Sequence, residues 1–167
     1  ERIGGADIVV GIPSFNNAAT IGHVVAATQA GLEKYFPQYR SVIVISDGGS
    51  GDGTRESVLK AGLDNSRLLL VSTPLFPVHR LSFPYHGIPG KGSAFRLIFH
   101  MARQLDVKAC AVVDSDPRSI TPEWIKNVLE PIFLGYDYVA PDYRRYKLDG
   151  TITNTIAYNL TRALYGC

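Results

Sequence analysis

Cysteine is scarce in this chain, and neither copy has a partner at a useful spacing. Cys110 lies within the apolar stretch 108–114, where a small buried thiol is expected, and Cys167 is the last residue. Two cysteines so placed make neither a disulfide framework nor a zinc-ligand set, which points to a reducing compartment. No stretch approaches the roughly 20 apolar residues of a membrane span. The opening residues Glu1-Arg2-Ile3-Gly4-Gly5 have no signal-peptide character, so a cytoplasmic protein without a transmembrane segment is expected. Charge of one sign is not in excess either. Seventeen Lys and Arg face fifteen Asp and Glu, with no dense basic run, which argues against nucleic acid as a partner. With 46% hydrophobic and 19% charged residues, disorder and low-complexity architectures are excluded. At 167 residues the chain suits one compact domain, able to bury roughly 70% of its unfolded surface without a metal or disulfide staple.

What is present is a regular alternation of two patterns. Apolar runs bounded by turn residues predict strands at 7–12, 41–46, 67–72, 109–113 and 136–140. Helical periodicity predicts helices at 20–36, 54–61, 91–105, 121–134 and 152–165, the first carrying Ile21, Val24, Val25, Thr28 and Leu32 on one face. Strand and helix in alternation imply right-handed crossovers. The expected fold class is therefore α/β, a Rossmann-like, mostly parallel sheet with helices on both faces. One irregular stretch, 73–90, is rich in Pro, Gly and aromatics, and a loop of that length is usually functional. The last helical pattern stops abruptly at Gly166-Cys167. Either the domain ends on a docked helix, or residues 1–167 are part of a longer protein, and the second reading is preferred. Surface left open at such an end would let two copies pair as a homodimer.

Ligands of open parallel sheets bind outside the carboxyl ends of the strands, so those residues carry the functional argument. After the first strand stands Pro13-Ser14-Phe15-Asn16-Asn17. The glycine-rich dinucleotide fingerprint is absent there, which argues against a hydride-transfer enzyme. After the second strand, Asp47-Gly48-Gly49-Ser50-Gly51-Asp52-Gly53-Thr54 reads equally as a turn with a helix cap or as a ligand loop. Gly90-Lys91-Gly92-Ser93-Ala94 opens the third helix and only approaches a P-loop, since Tyr85 stands at the position of the first glycine and Gly92 follows the lysine. Backbone N–H groups and a lysine at a helix start can still hold phosphate oxygens, although a plain glycine-rich helix entry needs no ligand. After the fourth strand come Asp114-Ser115-Asp116. Two carboxylates at i and i+2 suit Mg²⁺ or Mn²⁺ shared with a diphosphate, the alternative being a helix-capping turn.

Together these four features resemble the nucleotide-diphospho-sugar glycosyltransferases of the A-type fold, near the large family two. Pro13 to Asn16 resembles the family's Pro-x-Tyr-Asn turn, and 47–54 its Asp-Asp-Gly-Ser-x-Asp-x-Thr loop with Gly48 in place of an acid. Gly90 to Ala94 resembles Gly-Lys-Gly-x-Ala, and Asp114 to Asp116 the Asp-x-Asp metal motif. The resemblance implies that Pro13 and Phe15 line the base pocket and that Asp47 hydrogen-bonds the base. It implies Asn17 at the nucleotide, where the family often has an acid. It puts Lys91 on the donor's phosphate or sugar, Asp114 on the ribose or sugar, and a Mg²⁺ or Mn²⁺ ion on Asp114 and Asp116. The expected partner is a UDP- or GDP-hexose.

The last third is similar to glucosyl-3-phosphoglycerate synthases and mannosylglycerate synthase-like enzymes, around Tyr143-Arg144-Arg145-Tyr146-Lys147 and the residues to Thr153. Gly150 and Thr153 keep two positions of the acceptor pattern Gly-Arg-x-Thr, but Thr151 replaces the arginine. A phosphorylated acceptor would lose its bidentate partner there. Arg144, Arg145 and Lys147 form either an anion site or a solvated basic turn. His79, His86 and His100 read as structural or exposed side chains, and no catalytic base is assigned. The implied activity is metal-assisted hexose transfer to a small or cell-envelope acceptor, with 1–167 as the N-terminal, nucleotide-sugar-binding part. The competing classes are a non-catalytic nucleotide-sugar binding module and an interaction domain whose loops are only turns and caps.

Overall fold

Buried parallel strands have both faces covered, so they are written as continuous apolar runs, and four such runs pair here. The computed structural model describes residues 5–61, 68–72, 90–142, 150 and 152–166, with only the backbone described at 153 and 154. Strand β1 (Ile8–Ser14) is followed by α1 (Ile21–Tyr35), β2 (Ser41–Asp47), α2 (Thr54–Lys60) and β3 (Leu68–Ser72). Then come α3 (Lys91–Gln104), β4 (Ala109–Val112), α4 (Pro122–Phe133), a π-helical turn (Ile152–Ala157) and α5 (Tyr158–Tyr165). The strands are parallel in the order β3-β2-β1-β4. Among the described residues, no helix is long and apolar enough to cross a membrane.

Each face of the sheet has its own apolar layer. On one side, Ile8, Val10 and Ile12 of β1 pack with Ile43 and Ile45 of β2 against α1, α2 and α4. On the other, Val9, Val42 and Val44 meet Ile98 and Ala102 of α3. The expected α1 face is buried, Thr28 included. Gly11 lets α3 lie close against β1, since a Cβ there would fall 2.3 Å from Ile98 Cγ2. Gly31 does the same for α1 and α4, where a Cβ would lie 2.7 Å from the Pro122 carbonyl oxygen. A second tie joins these helices, because the Tyr35 hydroxyl donates to Glu123 Oε1 at 2.8 Å. That hydrogen bond, with further donors from Glu123's own backbone, Thr121 and Lys34, holds the Glu123 carboxyl down at about 2.

Winding from β1 through β2 to β3 runs one way, and β4 lies on the opposite side of β1. The direction of winding therefore reverses between β1 and β4, which opens a crevice at the carboxyl ends of these strands.

Two expectations fail. Residues 136–140 form no strand, and Tyr136 and Tyr138 are 65% and 82% exposed. The alternation Tyr-Asp-Tyr-Val suits a pleated half-buried surface, but a strand needs a neighbour to pair with, and none is present among the described residues. Cys110 is exposed rather than buried. Ala109 and Ala111 of β4, and Val113 just after it, turn toward the α1 and α4 layer, so Cys110 takes the other face, on the outermost strand among the described residues. The last helix also differs in form, beginning as a π-helical turn, and its apolar residues Ile156, Leu160 and Leu164 are exposed.

The close approach at Gly31 sets two effects against each other. Helix propensity favours alanine by about 1 kcal/mol, while overpacking against a backbone oxygen costs about 1–3 kcal/mol. A carbonyl oxygen cannot rotate aside as a side-chain tip can. Gly31→Ala is therefore expected to lower the urea unfolding midpoint, and an unchanged or raised midpoint would show that α1 and α4 can separate freely.

Candidate functional site

Two loops at the carboxyl end of the sheet are stitched together by side-chain hydrogen bonds. The register places Ser14 beside Asp47 at the ends of β1 and β2. Asp47 is only 1% exposed. Its Oδ1 accepts from Ser14 Oγ at 3.1 Å and Ser50 Oγ at 2.6 Å, and its Oδ2 from the Gly49 and Ser50 N–H groups at 3.2 and 3.0 Å. A carboxylate offers about four lone-pair positions, so Asp47 is filled by its own neighbourhood.

The following residues extend the seam. Asn16, in a left-handed conformation at φ 53°, donates its N–H to Ser50 Oγ and accepts from the Gly51 N–H with Oδ1. The Asn17 N–H donates to Thr54 Oγ1 at 2.8 Å, and the Thr54 hydroxyl in turn donates to Asp52. Asp52 also accepts from the Ala18 N–H at 3.0 Å. These donors, Thr54 first, hold the Asp52 carboxyl below its ordinary value. Asp52 and Thr54 thus tie this loop to Asn17 and Ala18, while the N-cap of α2 is Gly53, with no side-chain cap bond.

Against this seam lies an open cleft of about 210 Å³. Pro13, Phe15, Asn17 and Gly48 form one wall, Gly90, Lys91 and Ala94 of the α3 entry another, and Asp114, Ser115 and Asp116 a third. Among the described residues no side chain caps the first turn of α3, and the N–H groups and dipole of a helix start favour an anion at that end. The Lys91 ammonium pairs with Asp114, both side chains being more than half exposed at 56% and 53%. An exposed pair contributes about 0–1 kcal/mol, so a phosphate can compete for the lysine at little cost.

Asp114 and Asp116 are both exposed to the cleft. Among the described residues, no group of three His, Cys, Asp or Glu side chains is placed to hold a metal ion. Two hard oxygen donors facing an anion-favouring helix end fit Mg²⁺ or Mn²⁺, which complete their shell with water and phosphate. They do not fit a closed zinc cage.

No protein-family model matches the chain, and no curated protein matches it. Solved structures do. Glucosyl-3-phosphoglycerate synthase from Mycobacterium tuberculosis, in complex with Mn²⁺, UDP-glucose and phosphoglyceric acid, aligns with a TM-score of 0.68 at 23% identity. That alignment covers 97% of this chain and 51% of the other. The chain shares its fold. The same enzyme with Mn²⁺, UDP and glucosyl-3-phosphoglycerate gives 0.66 at 23% identity, covering 98% of this chain and 55% of the other. With Mg²⁺ and UDP it gives 0.66 at 24%, covering 99% and 55%. The chain thus spans about half the length of the solved structures it matches, and its architecture is that of the A-type nucleotide-sugar transferases.

Of the residues expected at the site, Pro13, Phe15, Asn17, Lys91, Asp114 and Asp116 line one cleft together. Asp47 does not line it. It lies behind Gly48, with its acceptors occupied. Gly150 sits in an exposed turn at φ 65° and is not among the lining residues. The side chain of Thr153 and residues Arg144, Arg145 and Lys147 lie outside the described residues, as do His79 and His86, while His100 is exposed on α3. Sequence reasoning missed Ser14, Asn16, Ser50 and Ser115 as organisers. Their only signal was polarity at the strand ends.

The filled carboxylate makes a direct prediction. Asp47→Ala strands the Gly49 and Ser50 N–H groups and the Ser14 hydroxyl, and is expected to cost about 2–4 kcal/mol of stability in urea titrations. Asp47→Asn keeps one oxygen for the backbone donors and should cost less. Wild-type stability in Asp47→Ala would show that the carboxylate does not organise the loop.

Proposed function

We propose that this chain is the donor-binding part of a glycosyltransferase that moves a hexose from a nucleoside-diphosphate sugar with the help of Mg²⁺ or Mn²⁺. The observation that carries this reading is the meeting, in the crevice between β1 and β4, of the Asp114-Ser115-Asp116 turn with Lys91 and the α3 entry. Diphosphate chemistry explains all three at once, since it needs a cation site, a fixed positive charge and N–H donors within one cleft. The likeness in fold to enzymes solved with UDP and Mn²⁺ supports the same reading.

In this proposal Pro13, Phe15 and the bare backbone at Gly48 receive the base, while the first turn of α3 and Lys91 receive the diphosphate. Asp114 and Asp116 hold the cation, and Asp114 also faces the ribose or the sugar. A bound cation would neutralise charge on the leaving diphosphate. The chain's own contribution at that moment is Lys91, a preorganised positive group where negative charge grows as the glycosidic bond breaks. Asp47 acts through the loop it organises and not on the base. Gly150 and Thr153 belong to the acceptor side.

Calorimetric titration of UDP-glucose and of GDP-mannose, with Mn²⁺ or with EDTA, tests this. One donor is expected to bind at least about tenfold more tightly with Mn²⁺, a difference worth roughly 1.4 kcal/mol, and Asp116→Ala is expected to abolish the metal effect. Binding indifferent to metal would favour a non-catalytic nucleotide-sugar module, and binding of neither donor would contradict the proposal.

A further inference from the structure

The turn that carries the two carboxylates has little backbone support of its own. β4 ends at Val112, and the last ladder-like bond is from the Val113 N–H to the Gly11 carbonyl at 2.9 Å. Beyond it, the middle residue of the turn is the one that is anchored. Ser115 is 6% exposed, whereas Asp114 and Asp116 on either side are exposed. Its hydroxyl donates to Asn17 Oδ1 at 2.8 Å, and its carbonyl accepts from the Thr20 hydroxyl at 2.9 Å.

Asn17 serves more than this one partner. The same Oδ1 accepts from the Phe15 N–H at 3.0 Å. Its backbone N–H is held by Thr54, and its carbonyl accepts from the Thr20 and Ile21 N–H groups at the start of α1. One amide oxygen thus fixes both the Phe15 wall of the cleft and the turn between Asp114 and Asp116.

We infer that Asn17 and Ser115 form a positioning pair that sets the direction of the Asp114 and Asp116 carboxylates and couples them to the Phe15 wall. The inference rests on the reading of those carboxylates as the cation site. In this account the residue between the acids is not a spacer. Ser115 turns inward so that its neighbours turn out, and the acceptor it needs comes from a loop 98 positions earlier in the chain. Asparagine suits the task because its oxygen accepts twice while the side chain adds no third negative charge beside the two acids. The Asn17→Asp substitution would keep both hydrogen bonds and add that charge.

Two readouts on Asn17→Ala, Ser115→Ala and Asn17→Asp test the pair. The first is backbone NMR resolved by residue, without any ligand, read as chemical shift and relaxation at 114–116 and as amide hydrogen exchange at Phe15. In both alanine variants the backbone signals of 114–116 are expected to shift and lose order, while those of Val113, bonded to Gly11, stay as in the wild type. The Phe15 amide, whose acceptor is Asn17 Oδ1, should exchange about tenfold faster in Asn17→Ala alone, and Asn17→Asp should match the wild type at both places. The second is calorimetric affinity for UDP with Mn²⁺, expected to fall about tenfold in the alanine variants and to recover in Asn17→Asp. Unchanged backbone signals at 114–116, or changes spread evenly over the chain, would overturn the positioning role. So would a loosened turn with unchanged UDP–Mn²⁺ affinity. If the wild-type protein bound no UDP with Mn²⁺, the donor-site reading would fall, and the backbone signals of 114–116 would still decide whether the pair holds the turn.

Discussion

The buried carboxylate of Asp47 accepts from Ser14, from Ser50 twice and from Gly49, and the geometry of the cleft follows from those four bonds. They close the loop after β2 onto the end of β1, and Ser50 passes the constraint to Asn16. Asn16 in turn holds Gly51, and Asn17 and Thr54 continue the seam to the start of α1. A buried charge is tolerable only when its acceptors are satisfied, so the loop cannot relax without exposing that cost. Rigidity at the strand ends is therefore a by-product of burying one acid.

The same arrangement divides the acidic residues by role. Asp47 and Asp52 are consumed inside the protein, holding backbone and hydroxyl donors. Asp114 and Asp116 are left facing the cleft that the start of α3 also lines, and Asp114 pairs with Lys91. A weak exposed ion pair beside an anion-favouring helix end makes a surface that exchanges partners readily, which suits a charged ligand that must arrive and leave. Gly11 contributes from a distance, because the close packing of Ile98 on β1 sets where α3 begins.

The four strands and the covered face of α1 were legible because burial on both sides leaves a continuous apolar run and burial on one side leaves a 3.6-residue period. The location of the cleft was legible from the rule that open parallel sheets carry their crevice at the carboxyl ends of the strands. Residues 136–140 misled because alternation records a preference for a pleated surface and says nothing about a pairing partner. Cys110 misled because β4, outermost among the described strands, is apolar at every residue, so composition could not say which face lacked cover. Asp47 was legible as a residue, but the bonds it makes within the loop were not, since the Ser14 hydroxyl that meets it stands 33 positions away. The link from Ser115 to Asn17 was invisible for the same reason.

The most direct test of this account is a crystal structure of the protein with UDP and Mn²⁺, phased to reveal the metal by its anomalous signal. The account predicts a manganese peak at the Asp114-Ser115-Asp116 turn, diphosphate oxygens against the first turn of α3 and Lys91, the base beside Phe15 and Gly48, and Asp47 still bonded to Ser14 and Ser50. Metal bound elsewhere, or Asp47 released from its loop to contact the base, would contradict it.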